Sequence, residues 1–149
     1  PVIGGDFIFS VSPNGQIICL NKDGSLKWET EIEGRVIGNL IKDGDLIVTG
    51  TAQGDLISIN ANNGDIFQTI GVGETITSLL TTSTIEFVGG KVRAVIFGTV
   101  NGNLYCYNIY SFELIWQNSS AKGMIESKPL IINDLQRQNS EMQIAIILL

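Results

Sequence analysis

Short runs of apolar residues alternate with small polar segments along the whole chain. The runs are of strand length, as in 16–21, QIICLN, and 104–108, LYCYN. The segments between them are rich in glycine, asparagine and aspartate, which is typical of turns. No stretch shows a sustained period of about 3.6 residues. We therefore predict strands joined by turns, with little helix.

Three segments of this pattern can be superposed. They run from 6 to 28, from 45 to 68 and from 93 to 116. Each has an apolar strand, a turn that ends in glycine, a strand that ends in asparagine, and a second turn before a last strand. Such self-similarity indicates a repeat protein.

The first turn of each repeat ends in a glycine, at Gly15, Gly54 and Gly102. The Asn-Gly pairs at 14–15 and 101–102 are typical of tight hairpins, in which these residues take positive φ. The interval from Gly54 to Gly102 is longer than the interval from Gly15 to Gly54. We expect it to contain an extended loop or a longer hairpin around 82–91.

An asparagine ends the next strand of each repeat, at Asn21, Asn60 and Asn108. An asparagine at a strand end can hydrogen-bond back to the backbone of its own turn. The turn that follows is one residue shorter in the first repeat. In the third repeat, 110–112 replaces the usual turn glycine with Tyr-Ser-Phe. We expect these aromatic residues to pack against the next repeat, with a recognition surface as the alternative.

Four strands per repeat predict a specific architecture. The pieces that connect the repeats each lead into a further apolar strand, at 40–41, 79–80 and 130–132. Four antiparallel strands in about 40–50 residues are typical of a β-propeller blade. The fold class is therefore all-β, a β-propeller of four-stranded antiparallel blades.

About three and a half blades fit into 1–149, which predicts a partial propeller. The expected bounds are about 1–33 for blade 1, 34–70 for blade 2, 71–120 for blade 3 and 121–149 for part of blade 4. Propellers close with four to eight blades. Open blade edges would then be available for pairing with another chain.

The repeats resemble the PQQ-like, quinoprotein-type propeller repeat of PQQ-dependent alcohol dehydrogenases and their non-enzymatic relatives. The segment 102–108, GNLYCYN, matches best and leads to Trp116; the segment 15–21 leads to Trp28. The serine-proline that opens the innermost strand in this family is present at 127–129 with a lysine inserted. The resemblance covers nearly the whole chain.

The resemblance implies that the tryptophan packs across to the neighbouring blade. That role falls to Trp28 in the first repeat and Trp116 in the third. It is lost in the second repeat, where Gln68 stands at the position of the tryptophan. The residues implied in blade docking are Trp28, Trp116, Gly15, Gly54, Gly102, Asn21, Asn60 and Asn108.

Composition and charge exclude several classes of function. The chain has 9 Lys and Arg against 15 Asp and Glu, a net charge of −6, and no basic cluster, so we expect no nucleic-acid partner. No apolar run reaches the roughly 20 residues of a spanning helix, so we expect no membrane insertion. The absence of histidine removes Ser-His-Asp and Cys-His catalysis.

No catalytic, cofactor-binding or metal residue is assigned. The PQQ enzymes use calcium, an aspartate base and a disulfide between adjacent cysteines. Cys19 and Cys106 instead occupy equivalent positions in the first and third repeats, too far apart for a disulfide. The carboxylates of 29–33, ETEIE, are expected to form a solvated face. We expect no cofactor, and PQQ with calcium only if the chain is part of a dehydrogenase.

These observations favour a non-catalytic propeller that serves as a binding or scaffold module for protein–protein interaction. The expected partners are another protein or further propeller blades, with self-association through open blade edges. The alternatives are a fragment of a PQQ-dependent dehydrogenase and a ligand-sensing propeller that works by assembly. Relatives occur in periplasmic, extracellular, luminal and cytoplasmic settings, so the resemblance leaves the compartment open.

Overall fold

Fourteen strands form the part of the chain that the computed structural model describes, residues 1–133 and 144–147. The first sheet contains β1 (Val2–Gly4), β2 (Phe7–Val11), β3 (Gln16–Asn21) and β4 (Leu26–Glu31). The second contains β5 (Ile41–Asp43), β6 (Leu46–Gly50), β7 (Asp55–Asn60) and β8 (Ile66–Gly71). The third contains β9 (Thr81–Phe87), β10 (Gly90–Gly98), β11 (Leu104–Asn108) and β12 (Leu114–Asn118). The last pair is β13 (Leu130–Asn133) and β14 (Ile144–Ile147).

Each four-stranded sheet is an antiparallel meander in which strands neighbour one another in chain order. The outer pair of strands carries a break in register at the same place in each full sheet, directly after Cys19, Ser58 and Cys106. A break in register of this kind is a β-bulge, which increases the twist of a sheet. The repeat therefore includes the position of this bulge. The predicted all-β fold of four-stranded blades is confirmed.

The hydrophobic core lies between the sheets. Strand β6 shows why, because all of Leu46–Gly50 is buried, with Ile47 in the core shared with the first sheet and Val48 in the core shared with the third. A strand that is covered on both faces is mostly apolar on both, unlike a strand with one wet face. Each sheet therefore depends on its neighbours for burial.

The innermost strands of the second and third sheets begin later than the apolar pattern predicts, whereas β13 begins at Leu130 as predicted. Strand β9 begins at Thr81, so the predicted strand at 79–80 lies in the connection before it. Leu80 is buried there without strand pairing, and its backbone N–H donates to Asn39 Oδ1 at 2.8 Å. A buried connection shows the same apolar pattern as a strand, and this explains the error.

The first hairpin of the third sheet is longer than its counterparts. The pair β5–β6 closes at Asp43 and Leu46, whereas β9–β10 continues through 84–87 and 90–93 to a turn at 88–89. At roughly 3.4 Å per residue, the four extra residues on each strand extend the hairpin by about 13 Å. The expected loop or longer hairpin is therefore a hairpin that projects from the sheet.

The fourth predicted blade is described only as the pair β13–β14. Positions 134–143 and 148–149 of its predicted range fall outside the described residues. Within the described ranges there is no helix that could cross a membrane.

Candidate functional site: inter-sheet joints and a projecting hairpin

Trp28 joins the first sheet to the second. Its side chain is 9% exposed, and its indole Nε1–H donates to the Ala61 carbonyl at 3.1 Å. The ring packs at 5.9 Å from the Phe9 ring centroid, and a Cβ on Gly64 would lie 2.7 Å from the indole. Thr30 Oγ1 donates to the Gly64 carbonyl beside it. The indole therefore lies directly against the turn that follows β7.

The turn asparagines behave in two ways. Asn60 Oδ1 accepts from the Asn62 N–H at 2.9 Å, and Asn108 Oδ1 accepts from the Tyr110 N–H at 2.9 Å. Asn21 instead donates to the Ser25 hydroxyl at 2.9 Å, in the shorter first turn. All three side chains thus bond within their own turn, although only two of them bond to its backbone.

The second joint is built differently. Gln68 stands at the position of Trp28, and its Nε2 donates to the Ser111 carbonyl of the third sheet at 3.1 Å. Phe112 stands at the position of Gly64, with a φ of 54°. It is 5% exposed and belongs to the core between the second and third sheets. Phe112 therefore packs against a neighbouring blade, as expected for this segment, and this blade is the second one.

Trp116 lies at the third joint. It is opposite Cys106 in the β11–β12 pair and packs, half-buried, against the core between the third and fourth sheets. Trp28 is opposite Cys19 in the same way. Both tryptophans therefore occupy the same place in their blades.

The turn glycines allow the connections between blades to approach closely. Gly15, Gly54 and Gly102 have φ values of 89°, 88° and 81°. A Cβ on Gly54 would lie 2.5 Å from the Glu74 carbonyl oxygen, and one on Gly102 would lie 2.7 Å from the Ala121 carbonyl oxygen. Glycine is required at these positions both for the backbone conformation and for space.

A cluster that sequence reasoning missed surrounds Glu74. Its carboxylate accepts from Thr99 Oγ1 and Asn103 Nδ2, both at 2.6 Å, and from Tyr105 OH at 3.0 Å. Burial raises the pKa of Glu74, but these hydrogen bonds outweigh it and the pKa lies below its ordinary value. Burial and the neighbouring carboxylate raise the pKa of Tyr105 to about 12. The cluster is fully bonded, which suits a structural joint better than a general base.

A second missed cluster links the second and third sheets on the side of the projecting hairpin. Arg93 Nε donates to Asp43 Oδ2 at 2.6 Å, and Tyr110 OH donates to Asp43 Oδ1 at 3.0 Å. Arg93 Nη2 donates to Thr82 Oγ1 at 3.1 Å. The hydrogen bond to Asp43 raises the pKa of Tyr110. No sequence signal pairs Asp43 with Arg93 and Tyr110, because Asp43 lies in a different blade.

The cysteines are not candidates for nucleophilic chemistry. Cys19 and Cys106 are both buried and free of a disulfide. Burial raises the pKa of the Cys106 thiol to about 12, which disfavours the reactive thiolate. In the part of the chain that the structure covers, no group of three or more His, Cys, Asp and Glu side chains could hold a metal ion.

The tip of the projecting hairpin is the most exposed apolar feature among the described residues. Val88 is 94% exposed and Phe87 is 51% exposed. The base of the hairpin is fixed, because Ile85 is buried and Val92 packs beside it in the core shared with the fourth sheet. A rigid base with an apolar tip in solvent is typical of an interaction surface.

The architecture and the repeat have a counterpart among known families. A family model for PQQ-type repeats, described as outer membrane protein assembly factor BamB, matches residues 1–139. The chain belongs to the BamB family. Its resemblance to quinoprotein-type repeats is thereby confirmed, over nearly the whole length.

The individual relatives and structural neighbours of the chain are distant. A lambda-carrageenase of Pseudoalteromonas sp is 30% identical over 140 residues, which cover 81% of this chain and 15% of that protein. The structure of BamB from Moraxella catarrhalis matches with a TM-score of 0.68 and 15% identity, over 86% of this chain and 38% of that one. BBS1N, in a complex with ARL6DN, matches with a TM-score of 0.67 and 13% identity, over 85% and 38%. The chain thus spans well under half the length of each, and the structural matches show the propeller fold alone.

Proposed function

We propose that this BamB-family propeller is a non-catalytic scaffold that binds a protein partner through the tip of its β9–β10 hairpin. The exposure of Phe87 and Val88 at the end of an anchored hairpin carries the proposal. A hairpin that projects by about 13 Å can enter a groove on a partner that the flat faces of the blades cannot reach. The two apolar side chains would be the central contacts of such an interface.

Other observations support binding over catalysis. The Glu74 carboxylate is engaged in hydrogen bonds that fix the connection between the second and third sheets, and the Asp43 carboxylate in hydrogen bonds between those sheets. One structural neighbour, BBS1N, is seen in complex with another protein, ARL6DN. A propeller of rigid blades is well suited to present a projecting element.

The tip can be tested by site-specific crosslinking. A photo-crosslinking amino acid placed at Val88 in the native host is expected to give a covalent adduct with one defined protein, identified by mass spectrometry. Titration of that purified protein should then show at least about tenfold weaker binding to the double variant F87S/V88S, because each buried apolar side chain contributes about 1.5–3 kcal/mol.

Phe67 provides the matched control. It is also an exposed phenylalanine, but it lies on the outer strand β8. Phe67→Ser should leave the affinity unchanged. Adducts from a crosslinker at Arg35, in the connection between the first two sheets, combined with none from position 88, would contradict the proposal.

The dehydrogenase alternative predicts a different result. If the chain formed part of a PQQ enzyme, PQQ with Ca²⁺ would raise its melting temperature by several degrees through binding to the native state. We expect no shift, because no residue of the chain matches the family's cofactor ligands. Differential scanning calorimetry with PQQ and Ca²⁺, each added alone and together, measures this, and dye-linked alcohol oxidation would overturn the scaffold proposal.

A further inference from the structure

The turns of the blades lie at two opposite ends of the sheets. Successive strands of a blade run in opposite directions, so the β9–β10 tip lies at the same end as every turn that follows a first or a third strand. We call this end the hairpin side; its turns are 5–6, 22–25, 44–45, 61–65, 88–89 and 109–113. We call the other end the connection side; its segments are 12–15, 32–40, 51–54, 72–80, 99–103 and 119–129.

The charge of the chain is divided unevenly between the two sides. Among the described residues, the turns of the hairpin side hold five acidic residues against one lysine: Asp6, Asp23, Asp45, Asp65 and Glu113, with Lys22. The segments of the connection side hold three acidic and three basic residues: Glu33, Glu74, Glu126, Arg35, Lys122 and Lys128. Most of the net charge of −6 is therefore on the side from which the hairpin projects.

Four acidic side chains of the hairpin side have no cationic partner among the described residues. Lys22 pairs with Asp6 at 2.8 Å, and no other basic residue lies in these turns. The four that remain are all exposed: Asp23, Asp45, Asp65 and Glu113. The hairpin itself adds no net charge there, because Lys91 pairs with Glu86 across its two strands at 3.6 Å. An apolar tip thus projects from a negatively charged surface.

Two of these carboxylates follow turns that contact the base of the hairpin. Arg93 of β10 donates from Nε to Asp43 Oδ2 at 2.6 Å, and Asp45 is two residues further along the same turn. The carbonyl of Arg93 accepts from the N–H of Ile109, which begins the turn that contains Glu113. Asp45 and Glu113 therefore belong to the two turns that border the hairpin.

On the basis of the function proposed for the tip, we propose that its partner is a protein with an apolar groove bordered by lysine and arginine side chains. Phe87 and Val88 occupy the groove, and the basic border faces Asp45 and Glu113. The groove must accept the full projection of about 13 Å, because exposed charges in 0.15 M salt interact over only about 8 Å. Such complementarity fixes the orientation of the partner and disfavours acidic proteins.

The photo-crosslink at position 88 provides the test of this charge preference in the native host. D45N/E113Q removes two negative charges beside the hairpin. It should lower the yield of the adduct, and it should weaken binding of the purified crosslinked protein about fivefold in 150 mM NaCl. E33Q/E126Q removes the same number of charges from the connection side and should change neither. Thermal unfolding followed by circular dichroism establishes that both double variants are folded.

Ionic strength distinguishes direct contact from attraction at a distance. At 10 mM salt the Debye length is about 30 Å, so the carboxylates attract a basic protein even when it touches only the tip. At 150 mM salt the length is about 8 Å, and a difference between wild type and D45N/E113Q requires close approach. A difference that is present at 10 mM and absent at 150 mM would overturn the proposed contact.

Further results would also reject the inference. Equal weakening by D45N/E113Q and E33Q/E126Q would show that only the net charge of the chain matters. Unchanged binding by D45N/E113Q, with binding still weakened by F87S/V88S, would reject the basic border and leave the tip proposal standing. The absence of any adduct from position 88 of the wild type would reject the tip itself, and the inference with it.

Discussion

Replacing Trp28 with alanine is expected to lower the free energy of unfolding by about 3–5 kcal/mol, the usual cost of deleting a buried tryptophan. The indole is buried between the first two sheets and contacts Phe9 and the turn at Gly64. Its removal leaves a cavity at that joint and deprives the Ala61 carbonyl of its donor. Urea denaturation monitored by circular dichroism gives the value.

Two variants separate the contributions at this joint. Trp28→Phe keeps an aromatic ring and loses the N–H donor, so it should cost less than Trp28→Ala. Trp116→Ala removes the equivalent side chain from a half-buried position and should also cost less. A loss below about 1 kcal/mol for Trp28→Ala would show that the indole does not anchor the two sheets.

The features that sequence predicted well have local causes. Gly15, Gly54 and Gly102 were recognisable because a turn with positive φ requires glycine whatever surrounds it. The same holds for the asparagines, whose side chains bond within their own turns. Three copies of one local rule were sufficient to predict the blade and therefore the propeller.

The features that sequence missed depend on contacts between blades. Asp43, Arg93 and Tyr110 meet only because the second and third sheets pack face to face. Leu80 shows the same limit, because burial in a connection and burial in a strand demand the same apolar side chain. The interval around 82–91 indicated an extra element, but the exposure of its tip depends on where the neighbouring sheets end.

The first two joints between sheets exchange a large and a small side chain. In the sequence, only the loss of the docking tryptophan at Gln68 is visible. The first joint has the large Trp28 against Gly64, and the second has the smaller Gln68 bonded to Ser111, next to Phe112 at the position of that glycine. Total volume is thus roughly conserved, which packed cores tolerate well. Phe112 has positive φ, a conformation that costs a side chain about 1–2 kcal/mol.

A double-mutant cycle should reveal this exchange. Gln68→Trp alone is expected to destabilise by about 1–3 kcal/mol through overpacking against Phe112. Phe112→Gly alone should cost about 3 kcal/mol, because the lost burial exceeds the relief of backbone strain. The combination recreates the first joint, so its cost should fall below the sum by about 2 kcal/mol, measured by urea denaturation.

The reverse exchange at the first joint is the matched control. Gly64→Phe places a side chain where Cβ alone would already crowd the indole, and Trp28→Gln should relieve that conflict. Both cycles should therefore show favourable coupling. Additive costs in both would mean that the paired side chains do not share a space, and the exchange of volume would then be rejected. Coupling at both joints would show that blade docking depends on the summed volume of two positions and not on tryptophan itself.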